Sequence, residues 1–435
     1  MTSTTTIAES GKGEPMELML QAITLWLIIQ LLFTIWNLRQ MPKLGSGLHS
    51  YGWEKQYDYS QQNSNIAHTH TYSDTGTDSS RAASSSAKSI NSSSEEKPLL
   101  SVLIPVRNEE VNIRECLESV LACRTDSIEL EVLVINDHSE DGTAEEVRHV
   151  IEQDSRVQLY EGQPLPKGWM GKSYACHQLS QKAQGEWWLF VDADVRLGLE
   201  ALEVAMITAR SQQTGMISGF PRMETGTWLE RLVVPMMAFV IGYHLPIMMV
   251  RRSPRPFYLA VTGAWMMIHR NSYIRCGGHK HIFNHIVEDM ELAKAVKKAG
   301  DPVTLADVQR HTSARMYRNA AQVWEGYKKN MFAGTGRNPL LVLCITVLYT
   351  LLFLWPVIML VYGLVTIQPD VIGWSAAAIV IGMLSKGIID HHSGKPFWMG
   401  VLLPASALCM ILILLDSWLA GIRGKGYSWK GRTYG

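Results

Sequence analysis

The sequence predicts an α/β domain with a mostly parallel, doubly wound sheet, flanked on both sides by transmembrane helices. Three observations predict it: short apolar runs alternate with amphipathic stretches from Pro98 onward, apolar segments of bilayer length crowd the two ends, and the densest strand-like run, EWWLFVDADV at 186–195, stops at two aspartates. Strands alternating with helices give parallel sheets with right-handed crossovers. Carboxylates at i and i+2 leave a strand on one side at its carboxyl end, where open α/β sheets bind ligands. Read alone, Asp192 and Asp194 suit a solvated turn as well as a site for a hard divalent cation such as Mg²⁺ or Mn²⁺.

A length of 435 residues allows two or three domains. Forty basic side chains balance forty acidic ones, so no global field favours nucleic acid. The six cysteines (116, 123, 176, 276, 344 and 409) show no ligand spacing, which argues against a zinc module or a disulfide framework.

In chain order, residues 1–15 form an N-terminal tail and 16–38 a hydrophobic stretch long enough to span a bilayer. A signal peptide fits less well, because no small-residue cleavage site comes after the apolar run. Arg39 and Lys43 after the span, against Glu9, Glu14 and Glu17 before it, predict that the chain emerges from the span on the cytosolic side. Residues 39–97 are Ser-rich and poor in aliphatics, the composition of a disordered tether. His49, His68 and His70 are too loosely spaced there for a metal tract.

The folded middle runs over 98–338. PLLSVLIPV reads as a strand ending at Pro105, VNIRECLESVLAC as a helix, ELEVLVIND as the second strand, AEEVRHVIEQ as a helix and RVQLYEG as the third strand. EWWLFV is the fourth, followed by a helix through LEALEVAMITAR and a strand in GMISGFPRM. Residues 233–250 read as a helix resting in the membrane interface, with Arg251, Arg252 and Arg255 beside it for lipid headgroups; burial in a soluble core is the competing reading. Residues 339–421 hold three membrane segments, and 422–435 are a basic tail expected in the cytosol. Three full crossings would put that tail outside, so one segment, the Lys386-containing middle one, is expected to be re-entrant or shallow.

Several strings carry chemistry. GWMGKS resembles a phosphate-binding loop, but a Walker A motif needs Gly at 166 and that residue is Pro166. Glu288 and Asp289 open an amphipathic helix, where the macrodipole favours anions. Gly263 in TGAWMMIHR permits close backbone approach. His279, His281 and His285 read as a mobile loop ahead of that helix, with a three-histidine metal site as the alternative.

Taken together, IPVRNEE, VINDHSEDGT, GWMGKSYAC, FVDADV, TGAWMMIHR and IVEDMELAKAVKKAG stand in the order of an inverting glycosyltransferase of family 2 with the GT-A nucleotide-sugar-binding fold. The resemblance covers about residues 98–336. The flanking membrane segments, the GWMGKS block and the terminal SWKGRTY resemble the membrane-bound branch that includes carotenoid and hopanoid-associated glycosyltransferases.

The resemblance implies that Asp137 holds the uracil or ribose of a UDP-sugar donor and that Pro105, Arg107 and Glu109 line the base pocket. Asp192 would contact the ribose or the metal shell, and Asp194 would ligate Mg²⁺ or Mn²⁺. Lys172 and Arg315 would serve the diphosphate, joined by Tyr317 and Arg318. Asp289 would be the catalytic base and Glu288 would orient the loop or an acceptor hydroxyl. The Asx-turn role before SEDGT suits Ser139 and Asp141 better than Asp137. Processive synthases carry QxxRW after the base, and QRHTSARMYRNAAQVWEGYKKNMF has no such string. A membrane-anchored hexosyltransferase acting on a lipid acceptor of carotenoid, hopanoid or polyprenyl type is therefore expected, with a polysaccharide synthase and a non-catalytic nucleotide-sugar-binding scaffold as alternatives.

Overall fold

Ten strands lie in the domain: β1 (Leu99–Val106), β2 (Glu129–Asn136), β3 (Val157–Glu161), β4 (Trp187–Val191), β5 (Val195–Leu197), β6 (Met216–Ser218), β7 (Arg222–Met223), β8 (Trp265–His269), β9 (Val303–Leu305) and β10 (Thr312–Ala314). Seven form the main sheet in the order β3–β2–β1–β4–β8–β6–β9, and β5–β10–β7 form a smaller one. The computed structural model describes residues 14–47, 97–423, 427–429 and 432–434. The N-terminal tail, most of the Ser-rich tether with its three histidines, and the side chains of the basic tail lie outside the described residues.

The helices in chain order are α1 (Glu14–Leu38), α2 (Ile113–Leu121), α3 (Thr143–Ile151), α4 (Gly171–Ser180), α5 (Ala201–Gln212), α6 (Trp228–Val233), α7 (Met236–His244), α8 (Ile247–Arg252), α9 (Arg270–Arg275), α10 (Gly278–His281), α11 (Glu288–Lys298) and α12 (Ala320–Gly334). Then come α13 (Pro339–Tyr349), α14 (Trp355–Thr366), α15 (Pro369–His392) and α16 (Leu403–Ile422).

β1 is parallel to β2 and β4, and β2 to β3, as the alternating pattern predicts. β8, however, runs antiparallel to both β4 and β6. The sheet is thus mixed, and the amino end of β8 meets the carboxyl ends of β4 and β6. Every residue of β4 is buried, which its unbroken apolar run requires of a strand covered on both faces. Pro105 is not the stop expected. β1 continues to Val106, and its pairing with β4 ends at Leu103, so the missing N–H of Pro105 breaks no bond on that side.

Buried Ser218 at the end of β6 fixes this reversal. Its hydroxyl accepts from Thr262 N at 3.1 Å and lies 3.0 Å from the Trp265 carbonyl. Residues 219–261 therefore leave the sheet and return to it at one point.

That excursion contains the segment expected as one interfacial helix. It is two, α7 and α8, broken at Leu245–Pro246, because proline cannot continue a helix. Asn37 at the end of α1 closes the break: its Nδ2 donates to the carbonyls of Gly242 (3.0 Å) and Leu245 (2.7 Å), and its Oδ1 accepts from Ile247 N (2.8 Å). Arg251 does not face headgroups. It is buried and donates to Gln212 Oε1 (2.8 Å) and Thr304 Oγ1 (3.0 Å). Below α1, Asp307 N donates to Pro42 O at 2.8 Å, joining this helix to the end of β9.

Among the described residues, four helical stretches are long and apolar enough to cross a membrane: Pro15–Leu38, Pro339–Thr366, Pro369–His392 and Phe397–Ile422. The middle one of the last three is not shortened; α15 is a continuous helix of 24 residues. Its Lys386 and Asp390 form an ion pair with both side chains fully buried. One further turn of backbone crosses it where Gly400 and Gly387 meet without side chains, a Cβ on Gly400 falling 2.3 Å from the Met383 carbonyl.

Candidate active site

The predicted residues gather along one edge of the sheet, the carboxyl ends of β1, β2 and β4. Loops following β1 and β2 each contain a non-glycine residue in left-handed backbone, Asn108 (φ 52°) and His138 (φ 55°). Such strain costs roughly 1–2 kcal/mol and persists where surrounding bonds fix it. Here Arg107 supplies them, donating to the Asp137 and His138 carbonyls at 2.7 Å each and pairing with Glu140 at 3.3 Å. Arg107 is therefore a brace for the Asp137 loop and is itself buried.

Asp137 is buried, with its N–H donating to Val106 O at 2.8 Å. The turn after it is capped by Asp141, as expected, its carboxylate accepting from Thr143 N (3.1 Å) and Glu110 N (3.2 Å), but by Asn136 and not Ser139: Asn136 Oδ1 accepts from Ser139 N (3.0 Å), while the Ser139 hydroxyl accepts from Asn108 N (3.0 Å). Glu109 accepts from Asn112 Nδ2 at 2.9 Å. Pro105 lies half-buried at the end of β1.

The centre of the edge is a cluster around Gly263. Lys172, near the start of α4, places its Nζ 2.7 Å from Asp192 Oδ1, 2.9 Å from Oδ2 and 3.3 Å from Glu288 Oε1. Asp289 accepts from Gly263 N at 2.8 Å and from Met290 N at 2.7 Å. A Cβ on Gly263 would lie 3.0 Å from Lys172 Nζ, 3.5 Å from Glu288 Oε1 and 3.7 Å from Asp289 Cβ, so any larger residue would press on the lysine where these side chains converge.

The electrostatics follow from this crowding. Burial pushes Asp289 up to about 7, aided by the neighbouring Glu288 charge and opposed by Lys172. Burial would lower the Lys172 ammonium, but Asp192 and Glu288 more than reverse that and hold it well above its ordinary value. Burial, with the field of Asp194, pushes the Tyr317 hydroxyl up to about 12.

Arg315 is not brought to this cluster. Its backbone N–H donates to Asp194 O at 3.4 Å, but its guanidinium lies 3.6 Å from Glu230 of α6. Despite burial, hydrogen bonds from Gly226 and Thr227, together with Arg315, hold the Glu230 carboxyl below its usual range. Thr227 and Glu230 form a capping box at the start of α6, and T-x-x-E was the legible signal for it. Arg318 reaches back across the cleft to Asn112 Oδ1 at 2.9 Å.

A second cation went unread in the sequence. Lys329 of α12 is lowered by burial while feeling the charges of Glu288, Lys172 and Asp192, which brings it within electrostatic reach of the cluster. Nothing in its local sequence signals this, since only the return of α12 over the site brings it there. Trp169, before α4, packs at 5.6 Å from Phe283, and Met170 N donates to Phe283 O at 2.8 Å. The histidine alternative is corrected: His279 is buried and bonded through Nδ1 to Tyr273 OH at 2.9 Å, and no cluster of three or more His, Cys, Asp or Glu able to hold a metal occurs among the described residues. All six cysteines are free thiols.

A mixed sheet of this order, with acidic side chains at the carboxyl ends of its parallel strands, is compatible with the expected GT-A fold. Residues 101–275 match the family described as glycosyl transferase family 2. That stretch of the chain is similar to the family 2 glycosyltransferases. The chain is 31% identical over 240 residues to the 4,4'-diaponeurosporenoate glycosyltransferase of Staphylococcus haemolyticus, covering 54% of this chain and 61% of that one. It is 27% identical over 346 residues to the protein of the same name from Staphylococcus aureus (strain USA300), covering 77% and 88%. Thus the chain spans about three fifths of the length of the first relative. A mannosyltransferase from Pyrobaculum calidifontis, solved with GDP-Man and Mn²⁺, is 19% identical with a TM-score of 0.44, covering 74% of this chain and 88% of that one.

Proposed function

We propose that this chain is a membrane-anchored hexosyltransferase that moves a sugar from a UDP-sugar to a hydroxyl or carboxyl group of a lipid acceptor with inversion. The observation that carries the reading is the convergence of Lys172, Asp192, Glu288 and Asp289 around Gly263. A base works best with a pKa near the operating pH, and Asp289 at about 7 meets that condition. Asp289 takes the acceptor proton as the acceptor oxygen bonds to the anomeric carbon and the bond to the nucleotide diphosphate breaks on the opposite face. Asp137 and the loop braced by Arg107 hold the nucleoside. Glu288 orients the acceptor.

Asp192 and Asp194 fit a divalent cation: they are hard oxygen donors two residues apart, and the Asp192 carboxylate already draws a cation, the Lys172 ammonium, to both of its oxygens. These two residues would hold the ion, which when bound neutralises charge on the diphosphate leaving group. The lipid acceptor is supported by the four apolar helices and by relatives named for a carotenoid substrate. A carotenoid, hopanoid or polyprenyl lipid fits, met by a cytosolic domain at the bilayer surface.

Mass spectrometry of lipids formed by membranes containing the full-length protein and a UDP-sugar tests the proposal. A single-sugar glycolipid is expected, with NMR of its anomeric proton showing inverted configuration. A ladder of sugars would make the enzyme a polysaccharide synthase, and nucleotide binding without product would make it a scaffold.

A further inference from the structure

Lys172 covers both oxygens of the Asp192 carboxylate, at 2.7 and 2.9 Å, and the same ammonium reaches Glu288 at 3.3 Å. A divalent ion bound to Asp192 needs one of those oxygens at about 2.0–2.2 Å. Ion and ammonium would then sit within a few ångströms of each other in a half-buried site, where like charges repel strongly. One side of the ammonium is closed by the Gly263 backbone, since even a Cβ there would stand 3.0 Å from Nζ. Lys172 must therefore leave Asp192 before the oxygens are open to metal, and it needs another anion to go to. A nucleotide diphosphate is such an anion. It would lie near the amino end of α4, beside Lys172, where the helix dipole favours negative charge.

We propose that Lys172 is an internal placeholder for the divalent cation: it neutralises Asp192 and Glu288 in the donor-free protein, excludes free metal, and transfers to the diphosphate only when metal arrives with the nucleotide. This rests on the nucleotide-sugar reading above. It assigns Lys172 a second task besides contacting phosphate, namely ordering metal and donor binding.

The test is Mn²⁺ binding to the full-length protein in detergent, followed by electron paramagnetic resonance, with and without UDP. Without UDP, Lys172→Met is expected to bind Mn²⁺ at least tenfold more tightly than the unaltered protein. Lys172→Arg, which keeps the charge, should stay within about threefold of it. With UDP the order reverses, Lys172→Met holding Mn²⁺–UDP more weakly because the phosphate has lost its ammonium partner. Equal Mn²⁺ affinity of Lys172→Met and the unaltered protein without UDP, with Mn²⁺–UDP still bound, would overturn the placeholder role alone. Failure of the unaltered protein to bind Mn²⁺–UDP would overturn the nucleotide-sugar reading and the placeholder with it. A thermal melt of each variant separates these results from misfolding.

Discussion

At the scale of single residues, Asp289 couples chemistry to pH. Its carboxyl is raised in the fold, so the protonated form is the one folding favours. That contribution to stability is fully present below the ordinary carboxylate range and is lost as pH rises through about 7. Asp289→Asn should therefore melt higher than the unaltered protein at pH 8, with the difference shrinking toward pH 4. The same change should lower transfer to a hydroxyl acceptor by about 10²–10⁴-fold, and in the unaltered enzyme the rate should fall on the acid side of about pH 7. Full activity in Asp289→Asn would remove it as the base. Gly263→Ala tests convergence: its Cβ would press on Lys172 Nζ at 3.0 Å, so transfer should drop at least tenfold while the melting temperature moves by only a few degrees. Asp192, Glu288 and Asp289 were legible in the sequence because each stands in a short string ending a strand or opening a helix. The place of Arg315 was not, because its partner, Glu230, lies far away in sequence and captures the guanidinium.

At the scale of elements, the sequence was most informative where periodicity alone decides. The runs of β1, β2 and β4 and the amphipathic pattern of α11 needed no tertiary knowledge. Strand direction is not encoded in an apolar run, and so the reversal at β8 was illegible. The break between α7 and α8 was marked by Pro246, but only the Asn37 side chain, two hundred residues away, makes it tolerable. Asn37→Ala would leave two carbonyls and one N–H without that partner, at about 1–3 kcal/mol for each group left unmet. Thermal unfolding in detergent should show a loss of at least several degrees, and an unchanged melting temperature would mean that Asn37 is no clasp. Lys329 shows the opposite limit: α12 reads as an amphipathic helix, and nothing within it says that one of its lysines lies within electrostatic reach of the cluster at Gly263.

At the scale of the whole molecule, four apolar helices pack with an α/β domain, and a polar group buried among them has no water to replace a lost partner. The Lys386–Asp390 pair is buried at both ends, and removing one member leaves a charge without compensation. Lys386→Met alone is expected to cost about 3–5 kcal/mol, whereas Lys386→Met combined with Asp390→Leu should be near neutral. Chemical unfolding in detergent distinguishes the two, and a double variant as unstable as the single one would show that the pair is needed for more than charge balance. The staple at Ser218 and Thr262 has a different consequence. Because residues 219–261 leave and re-enter the sheet at one point, they form an insert with a closed base. Only the part beyond β7 and α6 is free of the strand ends, because β7 pairs with β10 and Glu230 of α6 holds Arg315. Such an arrangement lets the outer part of the excursion vary in length among related chains while the sheet edge stays fixed.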